Sequence, residues 1–366
     1  MKRICESWNP ALPLQLARQT KRIFFLPELP LSFALGLFVV AAATIAFIGT
    51  KLTSVADVLA DRTGLGEAIA GAVLLGATTS AAGTVTSVTA AATGNIDLAY
   101  ANSLGGIAAQ TAFLALADIA YRKANLEHAA ADPTNLSQSA LLILLLSVPM
   151  IAGVLPPVTV FGVHPASIIL IAIYIFGLRL GRQDRDQPMW KPFDTAETRH
   201  DVPEEDEKGR STLNLALSFA GMVIVVAIAG YVVAETGTTI AQKTGISGSV
   251  VGALMTATVT SLPELVTTLA AVRRGALQLA LGGIIGGNTF DVLFLSAADV
   301  AYRDGSIYNA IDPSTQFWAL VGIAMTAVLL LGLIRRERYG FANVGFETVG
   351  ILVLYVGAVL ASALAL

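Results

Sequence analysis

Ten runs of roughly twenty apolar residues, each long enough to cross about 30 Å of hydrocarbon, constrain this chain more than any motif does. They fall near 32–50, 68–93, 97–121, 138–156 and 164–180, and, after a polar stretch, near 212–234, 248–272, 277–301, 315–334 and 344–365. Backbone N–H and C=O groups in hydrocarbon need internal partners, so runs of this length read as spanning helices. Charged residues make up 13% of the chain, against about 25% in ordinary soluble domains, and the mean hydropathy is +0.70. The expected fold is an all-α polytopic membrane protein. A single cysteine, Cys5, excludes an intrachain disulfide and a thiolate metal cluster. Phosphate-binding loops, nucleophile elbows, H-E-x-x-H helices and basic aromatic patches are missing from the sequence, so neither an enzyme nor a nucleic-acid binder is expected, and no resident cofactor.

Shifting the chain by 181 positions superimposes its halves: Thr79-Ser80 falls on Thr260-Ser261, Gly94 on Gly275, Gly105-Gly106 on Gly286-Gly287, and D-I-A-Y-R at 118–122 on D-V-A-Y-R at 299–303. So long an ungapped register is an internal duplication. Five spans per half is an odd number, which makes the second half enter the membrane from the opposite side, as inverted repeats of secondary transporters do. The expected organisation is an N-terminal segment over 1–30, a first five-helix repeat over 31–182, a hydrophilic loop over 183–210 and a second five-helix repeat over 211–366. The N-terminal segment lacks a signal-peptide pattern and reads as a surface-lying amphipathic stretch or a tail. An outside N-terminus puts sixteen of the 23 Lys and Arg residues in the cytoplasm, which predicts a cytoplasmic 183–210 loop in a plasma-membrane protein. The acidic run from Asp201 to Glu207 lacks metal-loop spacing and reads as solvated charge.

The chemistry concentrates between Thr256 and Asp291, where two carboxylates interrupt apolar spans. An acid at that depth marks function by default. On a helix, Thr256, Thr260, Glu264 and Thr267 or Thr268 recur at i+4 and i+3, giving one face a stripe of oxygens. Pro263 lacks an N–H and should kink that helix, freeing backbone carbonyls. Hydroxyl, carbonyl and carboxylate oxygens suit hard cations: calcium, sodium or a proton.

The same stretch resembles the second alpha repeat of the cation/calcium exchanger superfamily, the sodium/calcium exchangers and their relatives. Ser261, Pro263 and Glu264 match that family's T-S-x-P-E helix, and Asn288, Phe290 and Asp291 match the G-N-x-x-G-S-N-x-F-N/D partner helix, with departures at Gly283 and Gly287. The resemblance implies that Glu264 and Asp291 are cation ligands and that Thr260 and Ser261 add oxygens. It also implies exchange of sodium or protons for calcium. Where the family takes a Glu from each half, this chain has Gly83 opposite Glu264 and Gln110 opposite Asp291. The first half therefore offers neutral groups, among them Thr79, Ser80, Asn102 and Gln110, and with Asn288 these complete the expected site.

Two carboxylates balance one divalent cation, two sodium ions or two protons, but not several sodium ions held together at the bilayer midplane. Without a cation, two adjacent buried acids do not both stay charged, which favours proton coupling. A carboxylate at position 83 is expected to face Glu264 and raise calcium affinity. The expected activity is secondary-active antiport of calcium or a related cation against sodium or protons by alternating access. The alternatives are a monovalent cation/proton antiporter and a non-transporting scaffold or sensor that kept the fold. Asp118 and Asp299 each precede an Arg by four residues (Arg122 and Arg303) and are expected to form ion pairs at the interface.

Overall fold

A computed structural model describes residues 29–63, 76–121, 124–130, 132–186, 211–338, 340 and 344–364. Everything described is helix or connection: no strand forms among these residues, and Val160 and Val163 make an isolated bridge in the turn between two helices. The helices are α1 (Leu31–Thr44), α2 (Thr50–Thr63), α3 (Ala81–Ala92), α4 (Ile96–Ala120), α5 (Leu126–Ala129), α6 (Pro133–Val154), α7 (Pro165–Asp186), α8 (Thr212–Thr244), α9 (Gly248–Val250), α10 (Ala257–Thr260), α11 (Leu262–Arg274), α12 (Leu277–Asp291), α13 (Leu293–Ala301), α14 (Ile307–Ala310), α15 (Pro313–Arg335) and α16 (Phe346–Leu364). Turns of π-helix at Ile45–Gly49 and Val251–Thr256 join α1 to α2 and α9 to α10.

Eight helices among the described residues are long and apolar enough to cross a membrane, and nine if the bent pair Gly248–Thr260 and Leu262–Arg274 counts as one span. These are nine of the ten expected runs. Of the tenth, expected at 68–93, residues 68–75 lie outside the described residues, while 76–79 and α3 are helical. The N-terminal segment and the 187–210 part of the hydrophilic loop, with its acidic run, also lie outside them.

Local chemistry fixes the ends of the spans. Asp132 and Asp312 cap α6 and α15, accepting the N–H of Thr134 at 2.7 Å and of Ser314 at 2.9 Å. In each case a proline follows at the first helical position, where its missing N–H costs nothing. Gly94 and Gly275, equivalent in the duplication, end α3 and α11 with φ of +82° and +85°, a left-handed turn that any side chain would strain. The closing hydrogen bonds are equivalent too: Gly94 to Ala91 and Asn95 to Ala90 in one half, Gly275 to Val272 and Ala276 to Ala271 in the other.

The halves pack reciprocally. A Cβ at Gly49 would stand 2.6 Å from the Pro263 ring, and one at its equivalent, Gly230, would stand 2.6 Å from the carbonyl oxygen of Ala82, the equivalent of Pro263. Contacts exchanged in this way are what a pseudo-two-fold axis between repeats produces. Helix α4 runs through the middle, with all but a few of its residues buried, whereas α1, α8 and α16 turn exposed Phe, Val, Leu and Ile outward. That surface suits lipid, and the buried centre is where the polar side chains collect.

Candidate cation site

Two helix breaks build the site. Ser80 separates residues 76–79 from α3, and Ser261 separates α10 from α11 with a 47° bend. Their backbone bonds match: Ser80 N–H to Gly76 and Thr84 N–H to the Ser80 carbonyl, Ser261 N–H to Ala257 and Leu265 N–H to the Ser261 carbonyl. The expected kink at Pro263 is thus realised two residues earlier. The first half breaks at the same place with Ala82 where the second has Pro263, so proline alone does not cause the break. Pro263 instead sits in the first turn of α11, where its lack of an N–H is harmless.

Asp291 ends α12, and Val292 separates it from α13. Its carboxylate is buried and accepts one side-chain hydrogen bond at each oxygen. Ser80 donates to one oxygen, while the Gln110 amide donates to the other at 2.6 Å and reaches the Ser261 hydroxyl at 3.2 Å. Ser103 donates to the Asp291 carbonyl at 2.7 Å, capping the broken helix. Gly106 borders this meeting: a Cβ there would lie 3.6 Å from Ser261 Oγ and 3.9 Å from Asp291 Oδ2, in ordinary contact with both. Its equivalent, Gly287, stands likewise against Gln110 Oε1.

Glu264 is 4% exposed, on the first turn of α11. It lies close enough to Asp291 for the charges to interact, and the Thr79 hydroxyl reaches its carboxylate. The structure therefore gathers Glu264, Asp291, Ser261, Thr79, Ser80 and Gln110 at the two breaks. Asn288 is buried one turn before Asp291 on α12 and donates to Thr111 at 3.1 Å. Thr260 is also buried, with its hydroxyl donating to the Ala257 carbonyl of its own helix at 3.2 Å. Of the oxygen stripe expected along one helix, Thr256, Thr260, Glu264 and Thr268 are all buried, on either side of the break at Ser261. Thr256 donates to Asn102 at 2.7 Å, and Thr267 bonds back to Pro263 at 2.9 Å.

Three oxygens stand out because they have no hydrogen-bond partner although buried: Glu264 Oε2, Gln110 Oε1 and Asn288 Oδ1. Each such group costs about 1–3 kcal/mol when unsatisfied. No three His, Cys, Asp or Glu side chains among the described residues converge to hold a metal by themselves. Any cation here would depend on neutral oxygens beside two carboxylates, a donor set of the hard kind.

The position opposite Glu264 is closed. A Cβ at Gly83 would lie 2.6 Å from Cε2 of Phe294, so the aromatic ring fills the direction a side chain would take. A side chain at 83 must displace that ring before a carboxylate there could face Glu264. Sequence reasoning also missed Ser103, Thr111 and Phe294, and Tyr174 of α7, which packs edge-on against Phe290 at 5.9 Å and lies within electrostatic reach of Asp291. Nothing in the spacing of these residues marks them.

The interfacial aspartates are a second correction. Asp299 has no ion pair with Arg303; it accepts the backbone N–H of His164 at 2.7 Å, the Ser167 hydroxyl at 2.7 Å and the Ile307 N–H at 3.2 Å. Asp118 accepts the equivalents: the Leu126 N–H at 2.7 Å, the Thr348 hydroxyl at 2.8 Å and the Gly345 N–H. Its expected partner, Arg122, lies outside the described residues. Each aspartate ties the loop after its own helix to the last span of the other half, a structural role filled by backbone donors rather than arginine.

The profile of a family described as sodium/calcium exchanger protein matches residues 33–180 and 213–364, which are the two halves. Sodium/calcium exchanger MaX1 of Methanosarcina acetivorans is 35% identical over 123 residues, 33% of this chain and 33% of its own length. The inner membrane protein YrbG of Escherichia coli is 34% identical over 85 residues, 23% of this chain and 26% of its own. These matches span about a third or less of the curated relatives. Among solved structures, the sodium-calcium exchanger NCX_Mj superposes with a TM-score of 0.58 at 17% identity, covering 91% of this chain and 99% of that one. An H+/Ca2+ exchanger, CAX, superposes with a TM-score of 0.62 at 13% identity, covering 96% and 91%. At such identities the likeness is one of fold.

Proposed function

The chain belongs to the sodium/calcium exchanger protein family, whose members are membrane transporters of inorganic cations rather than enzymes, and from that premise we propose that it exchanges calcium, or a related cation, against sodium or protons by alternating access. The observation that carries the reading is the set of unpartnered buried oxygens on Glu264, Gln110 and Asn288 beside the Glu264–Asp291 carboxylates. A dehydrated cation would satisfy them and neutralise both acids at once.

Glu264 and Asp291 are the charged ligands in this reading; Thr79, Ser80, Thr260, Ser261, Gln110 and Asn288 supply neutral oxygens. Two acids match one divalent ion. Gly83, with Phe294 against it, and Gln110 bring no further charge, so a load of several sodium ions would be left uncompensated. Protons fit the returning step better, because protonation of the empty site removes the repulsion between its acids. The protein would lie in the plasma membrane with its N-terminus outside and the 183–210 loop in the cytoplasm. Labelling Cys5 and a cysteine introduced in that loop from opposite sides checks the orientation.

Flux through proteoliposomes under imposed calcium, sodium and proton gradients tests the function. Calcium uptake driven by an opposing sodium or proton gradient is expected. Sodium movement without calcium movement would identify a monovalent cation/proton antiporter. No flux and no cation-dependent thermal shift would identify a scaffold.

A further inference from the structure

At the Asp118 corner, away from the cation site, two more acids are buried. Glu127, on the short helix α5, and Glu347, in the first turn of α16, are each 1% exposed. The two carboxyl groups come within hydrogen-bonding reach of each other. Glu127 Oε2 and Glu347 Oε2 are both buried with no donor. Glycines open the space for them: a Cβ at Gly332 would stand 2.6 Å from Glu347 Cγ, and Gly345 lies directly under the Glu347 carboxylate. In the other half, the duplication places Tyr308 at the position of Glu127 and Ala166 at that of Glu347, so the pair has no counterpart there.

A carboxylate can only accept hydrogen bonds, so two carboxyl groups can bond to each other only through a proton that one of them carries. Asp118 cannot provide it. Its oxygens are already engaged, accepting the Leu126 and Gly345 N–H groups and the Thr348 hydroxyl. Three charged carboxylates in one dry corner would repel one another, and no metal-binding convergence of side chains exists among the described residues to offset them.

We infer that Glu127 and Glu347 form a proton-binding site separate from the cation site, holding one proton between the two carboxyl groups and so fastening α5 to α16. The charged groups around the pair are Asp118 on α4, His128 on α5, whose Nδ1 meets the Arg336 carbonyl at 3.0 Å, and the Arg335 to Arg338 segment after α15. Of that segment, Arg335 and Glu337 pair loosely at 3.9 Å, and the charge of Glu337 reaches Glu347. Burial, with Asp118 and Glu347 beside it, pushes the Glu127 carboxyl well above the usual carboxylate range. The folded chain thus keeps this proton to higher pH than the unfolded chain, so the fastening is complete in acid and weakens as pH rises through the pair's own titration.

Thermal unfolding of the full-length protein in chelator, between about pH 5 and 9, tests the site. Glu127→Gln supplies an N–H where the shared proton lies, so the variant should lose this part of the pH dependence, as should Glu347→Gln. The wild-type midpoint should fall by about 2–4 °C more than either variant's over the range. Comparison at each pH removes the contribution of Glu264 and Asp291, which all three proteins share. Parallel curves for the three proteins would overturn the proposal. So would calcium raising the midpoint of Glu264→Gln but not that of the Glu264→Gln, Glu127→Gln double variant, because the corner would then bind a metal. Should Glu127→Gln fail to fold, the infrared difference between wild type and Glu347→Gln at neutral pH decides: bands of Glu264 and Asp291, common to both, cancel, the C=O stretch of a buried protonated carboxyl should remain on the wild-type side, and its absence would overturn the proposal.

Discussion

The two halves share a backbone and divide the chemistry between them. At the helix breaks the serines, the capping glycines and the hydrogen bonds correspond, yet the second half brings Glu264 and Asp291 where the first brings Gly83 and Gln110. At the corners the imbalance reverses: Asp118 and Asp299 accept equivalent donors, but only the Asp118 corner adds two acids, Glu127 and Glu347. The duplication thus fixes where polar groups can be buried, and substitution after it decides which of those places carry charge. Gln110 shows how an unequal pair still fits together. Its amide occupies Asp291 Oδ2 as a neutral donor, where a second carboxylate would repel.

The largest effect should come from removing the charge the first half cannot replace. Glu264→Gln is expected to reduce flux to the level of empty vesicles at normal protein levels, measured in proteoliposomes, because the first half has Gly83 where a second Glu would stand in for it. Flux close to wild type would mean that Asp291 alone neutralises the cargo, and the imbalance at the breaks would lose its meaning.

Next is an attempt to restore the balance. Gly83→Glu alone drives its side chain into Phe294 and should cost about 1–3 kcal/mol with no gain in calcium affinity. Phe294→Ala combined with Gly83→Glu should recover part of that loss and show a larger calcium-dependent thermal shift than the wild type. A gain in calcium affinity from the single variant would show that the ring yields easily and that the site was never closed on that side.

Much of this was legible in the sequence. Spans follow from apolar run length, and nine of the expected ten fall on described helices, the one expected at 212–234 running on to Thr244. The duplication was visible because 181 positions separate matched residues without a gap; it paired Ser80 with Ser261, where both helices break, although the expected kink lies at Pro263 and in the second half alone. What stayed hidden depends on contacts between the halves. Helical periodicity says nothing of partners across the halves, and Thr256, at the end of the π-turn Val251–Thr256, donates to Asn102 of the first half. The ion pairs drawn at i, i+4 failed at Asp299 because backbone N–H groups of the next loop and of the other half reach the carboxylate. Glu127 and Glu347 had a signal that went unused: acids standing where the other half has Tyr308 and Ala166.

A smaller change sharpens the role of Gln110. Gln110→Glu keeps the shape but turns a donor to Asp291 and Ser261 into an acceptor, so in chelator it should cost about 1–3 kcal/mol. Calcium should then stabilise the variant more than it stabilises the wild type, because a bound cation compensates the added charge. Thermal shift with and without calcium measures both. An equal calcium shift in the two proteins would place residue 110 outside the cation's reach.

The smallest effect separates the corners from each other. Asp118 and Asp299 accept the same kinds of donor, so their hydrogen bonds are worth about the same, on the order of 1.5–3 kcal/mol for each bond to a charged acceptor. An Asn keeps one acceptor oxygen and sets an NH2 against donors on the other side, so both substitutions should destabilise. They should not do so equally. Asp299 stands near the neutral Tyr308, whose hydroxyl meets Ser167 at 2.8 Å, and losing its charge relieves nothing. Asp118 stands beside Glu127 and Glu347, and losing its charge removes repulsion that grows as their shared proton leaves. Asp299→Asn should therefore lower the unfolding midpoint more than Asp118→Asn, with the gap widening by about 2–4 °C as pH rises from acid to mildly alkaline. Flux per folded molecule should stay near wild type in both, since neither aspartate touches the cation site. A gap that stays constant with pH would mean that the acids at the first corner do not sense Asp118, and the difference between the corners would reduce to packing.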